Sequence, residues 1–161
     1  MLIIHRIHLN PKYLNSDIYK SLLDELKEKT KKECTGEYGH IININGITRI
    51  IGGLNVSSIN CDITCDVEFD AETLKPKVGD EYSGKVCAIL PKAGILIEVK
   101  NCLRVLVKSD SLHNYIHEVI GNRYVHIREK KSINIGDTIN VKLRGVKYTD
   151  HKFCCFGDLL E

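Results

Sequence analysis

Nothing in the 161-residue sequence approaches the roughly 18 consecutive apolar residues that a membrane-spanning helix needs. The opening Met1-Leu-Ile-Ile-His-Arg6 is too short and too soon charged for a signal peptide, so an intracellular protein with no membrane contact is expected. Seven cysteines, an odd number at irregular spacings, do not make a disulfide framework, and reduced thiols are expected. No two of them have the two-residue separation of a zinc ribbon. Gly52-Gly53 is not followed by the Gly-Lys-Ser/Thr of a phosphate-binding loop. Finally, the stretch GKVCAILPKAGILIEV, Gly84 to Val99, contains no aromatic ring. Modules for single-stranded RNA usually stack bases on such rings.

These gaps weigh against catalysis and metal binding. Asp62, Asp66, Glu68 and Asp70 alternate along one strand, with no His or Lys cluster beside them, so a solvated face is expected and not a catalytic pair. His113 and His117 stand four apart on an expected helix, while His5 and His8 stand three apart on a strand, where they point to opposite faces. Neither pair has a third ligand, so neither a metal nor a cofactor is expected. Cys61 with Cys65, and Cys154 with Cys155, read as buried small hydrophobes.

What is present is a core and an uneven charge. A hydrophobic content of 43% with 27% charged residues suits a folded chain of one domain or two small ones. The net charge is only +2, but residues 82 to 152 hold 13 Lys and Arg against 6 Asp and Glu. Any affinity for polyanions belongs to that half.

Periodicity gives an α+β order. Leu2–Leu9 reads as a strand ended by Asn10-Pro11. A helix follows, capped by Asn15 or Ser16, with Asp17 in its first turn, an apolar stripe of Ile18, Tyr19, Leu22, Leu23 and Leu26, and Gly36 as its stop. Strands are expected at 38–45 and 47–51 with a turn at Gly46, then an exposed loop from Gly52 to Asn60, then a strand from Ile63 to Asp70. Lys75-Pro76-Lys77-Val78-Gly79 breaks the pattern, giving a β-α-β-β-β domain over 1–78, a helix on a small antiparallel sheet. Residues 79–161 show period two at Ile95, Ile97, Val99, then Leu103, Val105, Val107, then Val125, Ile127, then Ile139, Val141, Leu143, and last the segment Phe153 to Phe156, with Ser111 to Ile120 as a helical interruption. Five or six short strands in this length suggest an all-β barrel of OB size.

Four segments in order, Glu33-Cys-Thr-Gly-Glu-Tyr-Gly-His-Ile41, Val67-Glu-Phe-Asp-Ala-Glu-Thr-Leu-Lys-Pro76, Gly84-Lys-Val86 and Asn140-Val-Lys-Leu-Arg-Gly145, resemble the stalk subunit of multisubunit DNA-dependent RNA polymerases, the seventh subunit of the eukaryotic enzyme and its archaeal counterpart. The resemblance implies a non-catalytic protein. Its first domain would dock on core RNA polymerase subunits beside a partner like the fourth subunit of the eukaryotic enzyme or the archaeal equivalent. Its second, an OB fold of the ribosomal S-one type, would meet single-stranded RNA near the exit channel. It implies residence in the nucleus or, for a protein of a large DNA virus, in host cytoplasm and virion. Ile95 stands where many such barrels carry an aromatic residue.

Two residue sets follow. Gly36, Gly39, Gly52, Gly53, Leu54 and Asn55 are candidates for polymerase contact, against a plain structural role for the first two. Lys92, Lys100, Arg104, Lys108, Lys142, Arg144 and Lys147 are candidates for RNA contact, against an ordinary solubilising surface. Asn140, Lys142 and Arg144 are expected in one outward row. A free-standing OB protein of translation or RNA decay is the alternative reading, and a small hydrolase a distant third.

Overall fold

Ile3, Ile7 and Leu9 are buried along the first strand, β1 (Leu2–Leu9), while Leu2, Ile4, Arg6 and His8 are exposed, the period-two pattern of a strand with one face on a core. The computed structural model describes residues 1–13 and 17–161. In it the strand belongs to the first of two units, Met1–Leu74 and Lys75–Glu161. Helix α1 (Ile18–Thr30) begins at Asp17, whose carboxylate accepts the Lys20 amide at 3.3 Å. The expected caps Asn15 and Ser16 lie outside the described residues. Leu22 and Leu26 are fully buried in a cluster with Ile7, Val67 and Phe69, but Tyr19 is exposed and leaves the expected stripe. The helix ends well before Gly36, which lies in the turn between β2 (Cys34–Thr35) and β3 (Gly39–Val56).

The expected turn at Gly46 and loop at Gly52 are absent, because β3 runs through both. It pairs with β4 (Ile63–Leu74) from His40↔Leu74 to Val56↔Ile63, and register shifts at Ile41/Asn43, Ile44/Gly46, Ile47/Arg49 and Ile51/Asn55 take up the extra residues. Gly52 and Gly53 adopt φ of 70° and 75° with open space around them. A bulge can therefore form where a side chain would be strained, and the ladder resumes at Asn55↔Thr64. The sheet order is β1-β4-β3-β2.

The acidic row of β4 is not simply solvated. Asp66 accepts from Arg6 at 2.8 Å, Glu68 from Arg49 at 2.9 Å, and Asp70 from the N-terminal ammonium and from Asn45, both at 2.8 Å. The hydrogen bonds from Arg6 hold the Asp66 carboxyl below the usual aspartate range, and those from the ammonium and Asn45 do the same for Asp70.

The second unit contains β5 (Glu81–Leu90), β6 (Gly94–Val99), β7 (Leu103–Lys108), β8 (Tyr115–Glu118), β9 (Arg123–His126), β10 (Ser132–Ile133), β11 (Thr138–Thr149) and β12 (Lys152–Leu160). Five of them close a barrel in the order β11-β12-β7-β6-β5, with β11 also paired to β5 and β12 running parallel to β7. Ile95, Ile97, Val99, Leu103, Val105, Val107, Val141 and Leu143 all point into it. Gly94 has φ 126°, and a Cβ there would sit 1.9 Å from the Val107 carbonyl oxygen, so only glycine lets β6 start this close to β7.

No helix covers Ser111 to Ile120. A 3-10 turn at Ser109–Ser111 leads into β8, and β8, β9 and β10 form a small antiparallel sheet. Its register turns Tyr124, not Val125, inward and leaves Ile127 exposed, while Ile139 is only half-buried.

Two measurements test this packing and pairing. Leu22→Ala or Leu26→Ala is expected to cost about 2–5 kcal/mol by chemical denaturation, as for other fully buried leucines; a loss below about 1 kcal/mol contradicts the packing. Because Asp66 and Asp70 have depressed carboxyl pKa values in the fold, their stabilisation is present above the unfolded aspartate value of about 3.9 and is lost as pH falls through the folded values. Melting followed from about pH 6 downward should therefore show Asp66→Asn flattening the acid limb. An unchanged limb would mean that the Arg6 pair is not held in solution.

Candidate nucleic-acid interface

Cross-strand register assembles the outer face of the barrel from residues far apart in sequence. One row runs Ala88↔Leu96↔Leu106↔Phe156↔Gly145 over β5, β6, β7, β12 and β11. It is an apolar ledge, and its ring is 40% exposed at Phe156. The next row on the same face runs Lys85↔Glu98↔Arg104, then Cys154↔Lys147. On the other side of the ledge, Lys108 holds its ammonium 4.5 Å from the centre of the Phe156 ring, in a cation–π contact. An apolar surface with Lys85, Arg104 and Lys147 on one border and Lys108 on the other can take stacked bases on its middle and phosphates on its borders.

Phe156 faces outward because Cys155 is buried, its thiol pushed up to about 11 chiefly by that burial. Neighbours on a strand point oppositely, so Cys154 and Phe156 must be outside. Gly145 makes room for the ring. The register of β11 and β12 shifts between Leu143 and Gly145, and a Cβ on Gly145 would lie 2.1 Å from the ring's Cζ. The β11–β12 pair then continues past the barrel to Thr149↔Lys152, although β11 meets β5 only from Thr138 to Lys142. This projecting arm carries Lys147 and Lys152 on the ledge side and the Tyr148–Phe153 ring pair, 5.0 Å apart, on the other.

The seven cations expected at an RNA site fall in three places. Lys92, in the β5–β6 turn, and Lys108, Arg104 and Lys147 border the ledge; Lys100 lies in the β6–β7 turn with φ 49°. Asn140, Lys142 and Arg144 lie outward as expected, alternating with the buried Val141 and Leu143. Their charges are engaged, however: Lys142 pairs with Glu81 at 3.5 Å and Arg144, at the register shift, with Asp158. Arg104 is weakly paired, 3.9 Å from Glu98. Residue reasoning missed Phe156, Leu96, Leu106, Lys85 and Lys152. Strict alternation from either cysteine would have found Phe156, had the inward one been known. Ile95 is fully buried, so its lack of a ring removes nothing from this face.

The set expected at a polymerase contact does not converge. Gly36 is in the β2–β3 turn and Gly39, φ 79°, is buried at the start of β3, whereas Gly52, Gly53, Leu54 and Asn55 are exposed near its far end. The β4 stretch paired alongside, Leu74 to Asp66, is eight steps of roughly 3.3 Å, so these groups lie on the order of 30 Å apart. Cys65 and Cys155 are buried, but Cys61 and Cys154, expected inside, are exposed. His117 is on β8, not on a helix, and its Nε2 is 2.8 Å from Asn122 Oδ1. Among the described residues no three His, Cys, Asp or Glu side chains are placed to hold a metal, and no helix is long and apolar enough to cross a membrane.

The closed five-stranded barrel puts the second unit in the class of OB-like folds. Among solved structures the chain is similar to the apo form of Mycoplasma genitalium RNase R, with 20% identity and a TM-score of 0.41 over 50% of this chain and 13% of that one. No family model and no curated protein matches the chain.

The Lys108–Phe156 contact gives a direct check of this geometry. The Lys108 ε-methylene protons should show an upfield ring-current shift in NMR spectra, abolished in Phe156→Leu and reduced in Gly145→Ala, which crowds the ring out. Unshifted protons in the unaltered chain would show that the ring lies elsewhere.

Proposed function

We propose that this chain is a non-catalytic, intracellular protein that binds single-stranded RNA on the outer face of β6, β7, β12 and β11. The observation that carries the proposal is the exposed Phe156 ring on an apolar ledge bordered by Lys108, Arg104 and Lys147. Bases stack on Phe156 and slide along Leu106 and Leu96, whichever base they are, because every base has a π-face. Phosphates meet the lysines, which releases counterions and makes affinity fall with salt. A barrel face with both contributions binds more tightly than charge alone allows, with little sequence preference. A free-standing RNA-binding protein of translation or RNA decay is the setting this site supports most simply.

A second reading, the polymerase stalk subunit, is favoured by the separate Met1–Leu74 unit ahead of the barrel, which RNA binding alone does not require. In that reading the first unit meets core RNA polymerase subunits and a fourth-subunit-like partner. Affinity purification of the native protein separates the two, since large polymerase subunits accompany it in one and not in the other.

For RNA itself, titration of labelled RNAs of different composition, each about 12 nucleotides long and so within the span of a single OB site, tests the interface. Phe156→Ala should weaken binding about 5- to 150-fold, the equivalent of roughly 1–3 kcal/mol of stacking per base. Lys147→Ala and Lys92→Ala should each flatten the salt dependence, by about 0.7 in the log–log slope for each phosphate no longer neutralised. Lys142→Ala and Arg144→Ala, whose charges already have carboxylate partners, should do less. RNA should also slow alkylation of Cys154 but not of the exposed Cys61 in the first unit. Affinity indifferent to both Phe156 and salt would end the proposal.

A further inference from the structure

The small sheet β8–β9–β10 has one packed face and one bare face. Register places Tyr115, His117, Tyr124 and His126 together. Tyr124 is buried on that side, as is its β10 partner Ile133. Ile116 and Val125 point the other way, where Ile116 is 62% exposed. The β8–β9 turn beside them displays Val119 at 83% and Ile120 at 85% exposure. Two aliphatic side chains held almost wholly in water, next to a third, make a patch that an isolated surface position does not explain.

The turn is also braced. Glu118 and Arg123 form an ion pair at its base, the Asn122 amide donates to the Val119 carbonyl at 3.3 Å, and Asn122 joins His117 at 2.8 Å and the β5 carbonyl of Ile89 at 3.4 Å. Side chains presented in a fixed geometry lose little freedom when something binds them. Alongside lies a shallow cleft of ≈ 230 Å³ lined in part by Val125, Ile127, Arg128 and Lys130. Its charge is unbalanced. Glu118 is engaged by Arg123 and Glu129 by Lys131 at 2.6 Å, so among the described residues no carboxylate neutralises Arg128 or Lys130.

We infer that this bare sheet face and its Val119-Ile120 turn dock an acidic amphipathic segment of a partner protein. Apolar side chains of that segment seat on Ile116, Val119 and Ile120, and its carboxylates meet Arg128 and Lys130. The mode is that of an amphipathic helix laid on an apolar groove, read through anchors at i, i+3 or i+4, with the charges setting specificity and encounter rate. RNA suits this face less well, because beside its two cations it offers only aliphatic side chains and no ring for a base to stack on, the rings of the sheet being on the packed side.

The test uses the full chain, immobilised, against a displayed library of random peptides about 16 residues long, enough for several helical turns. Enriched peptides should be acidic, with apolar residues at helical spacing, and should lose at least tenfold in affinity for Val119→Ser/Ile120→Ser. Reversing Arg128→Glu/Lys130→Glu should shift enrichment to basic sequences, an outcome that loss of folding cannot imitate. Melting temperature and RNA affinity of both variants should stay at the values of the unaltered chain. The inference is overturned if no peptide is enriched, if enrichment is indifferent to the turn or to the charge reversal, or if Val119 and Ile120 are instead needed for adsorption to anionic lipid vesicles.

Discussion

Burial of Cys155 between β11 and β7 decides which way every residue of β12 points. With that side chain inside, Phe156 is committed to the surface, and the ring needs a flat neighbour on each side. Leu106 supplies one. Gly145 supplies the other, but only because β11 shifts register after Leu143. Without the shift, alternation from the buried Leu143 would send Gly145 inward and a larger side chain against the ring. The ledge, the cation over it and the projecting arm are all consequences of this one parity.

Charge on the barrel is better described by its pairing than by its count. An excess of lysine and arginine marks the second unit, yet Lys142, Arg144 and Arg104 face carboxylates across the strands, and exposed pairs of this kind contribute only about 0–1 kcal/mol each to stability. Their chief effect is to cancel field locally. What a polyanion approaching the ledge meets comes from Lys85, Lys92, Lys147 and Lys152, and from Lys108 once it leaves the ring. These lie along the borders of the ledge and on the arm, so the potential follows the path that apolar contacts already define.

The barrel core was legible because β6 and β7 obey period two without interruption, and Ile95, Ile97, Val99, Leu103, Val105 and Val107 share one interior. Three things were not legible, each for a physical reason. The stretch Ser111 to Ile120 places Ile116 and Ile120, and His113 and His117, four apart, which is helical spacing. A tight hairpin carrying its apolar residues outward produces the same spacing with no helix. In β3, the paired glycines Gly52 and Gly53 read as the start of a loop, because left-handed backbone is commonest in loops and turns, yet the same backbone serves a bulge when a long partner such as β4 holds both sides of it. The outward side of β12 could not be assigned because Cys154 and Cys155 are equally small and apolar, and nothing local chooses between them. The choice is made by β7, which reaches this strand only in the folded barrel.

That last pairing also governs how the barrel comes to exist. β7 ends at Lys108 and β12 begins at Lys152, so the two parallel neighbours are separated by the whole β8–β10 sheet and by β11. Closing so long a loop is slow. During synthesis β5, β6 and β7 can pair as a meander as soon as they leave the ribosome, but the free side of β7 then waits, with its backbone groups unpaired and Leu106 uncovered, until β12 has been made. An edge of this kind is where a nascent chain sticks to others. The charged residues of β7, Arg104 and Lys108, stand on either side of Leu106 along that edge, and so guard the strand before they have any ligand to meet.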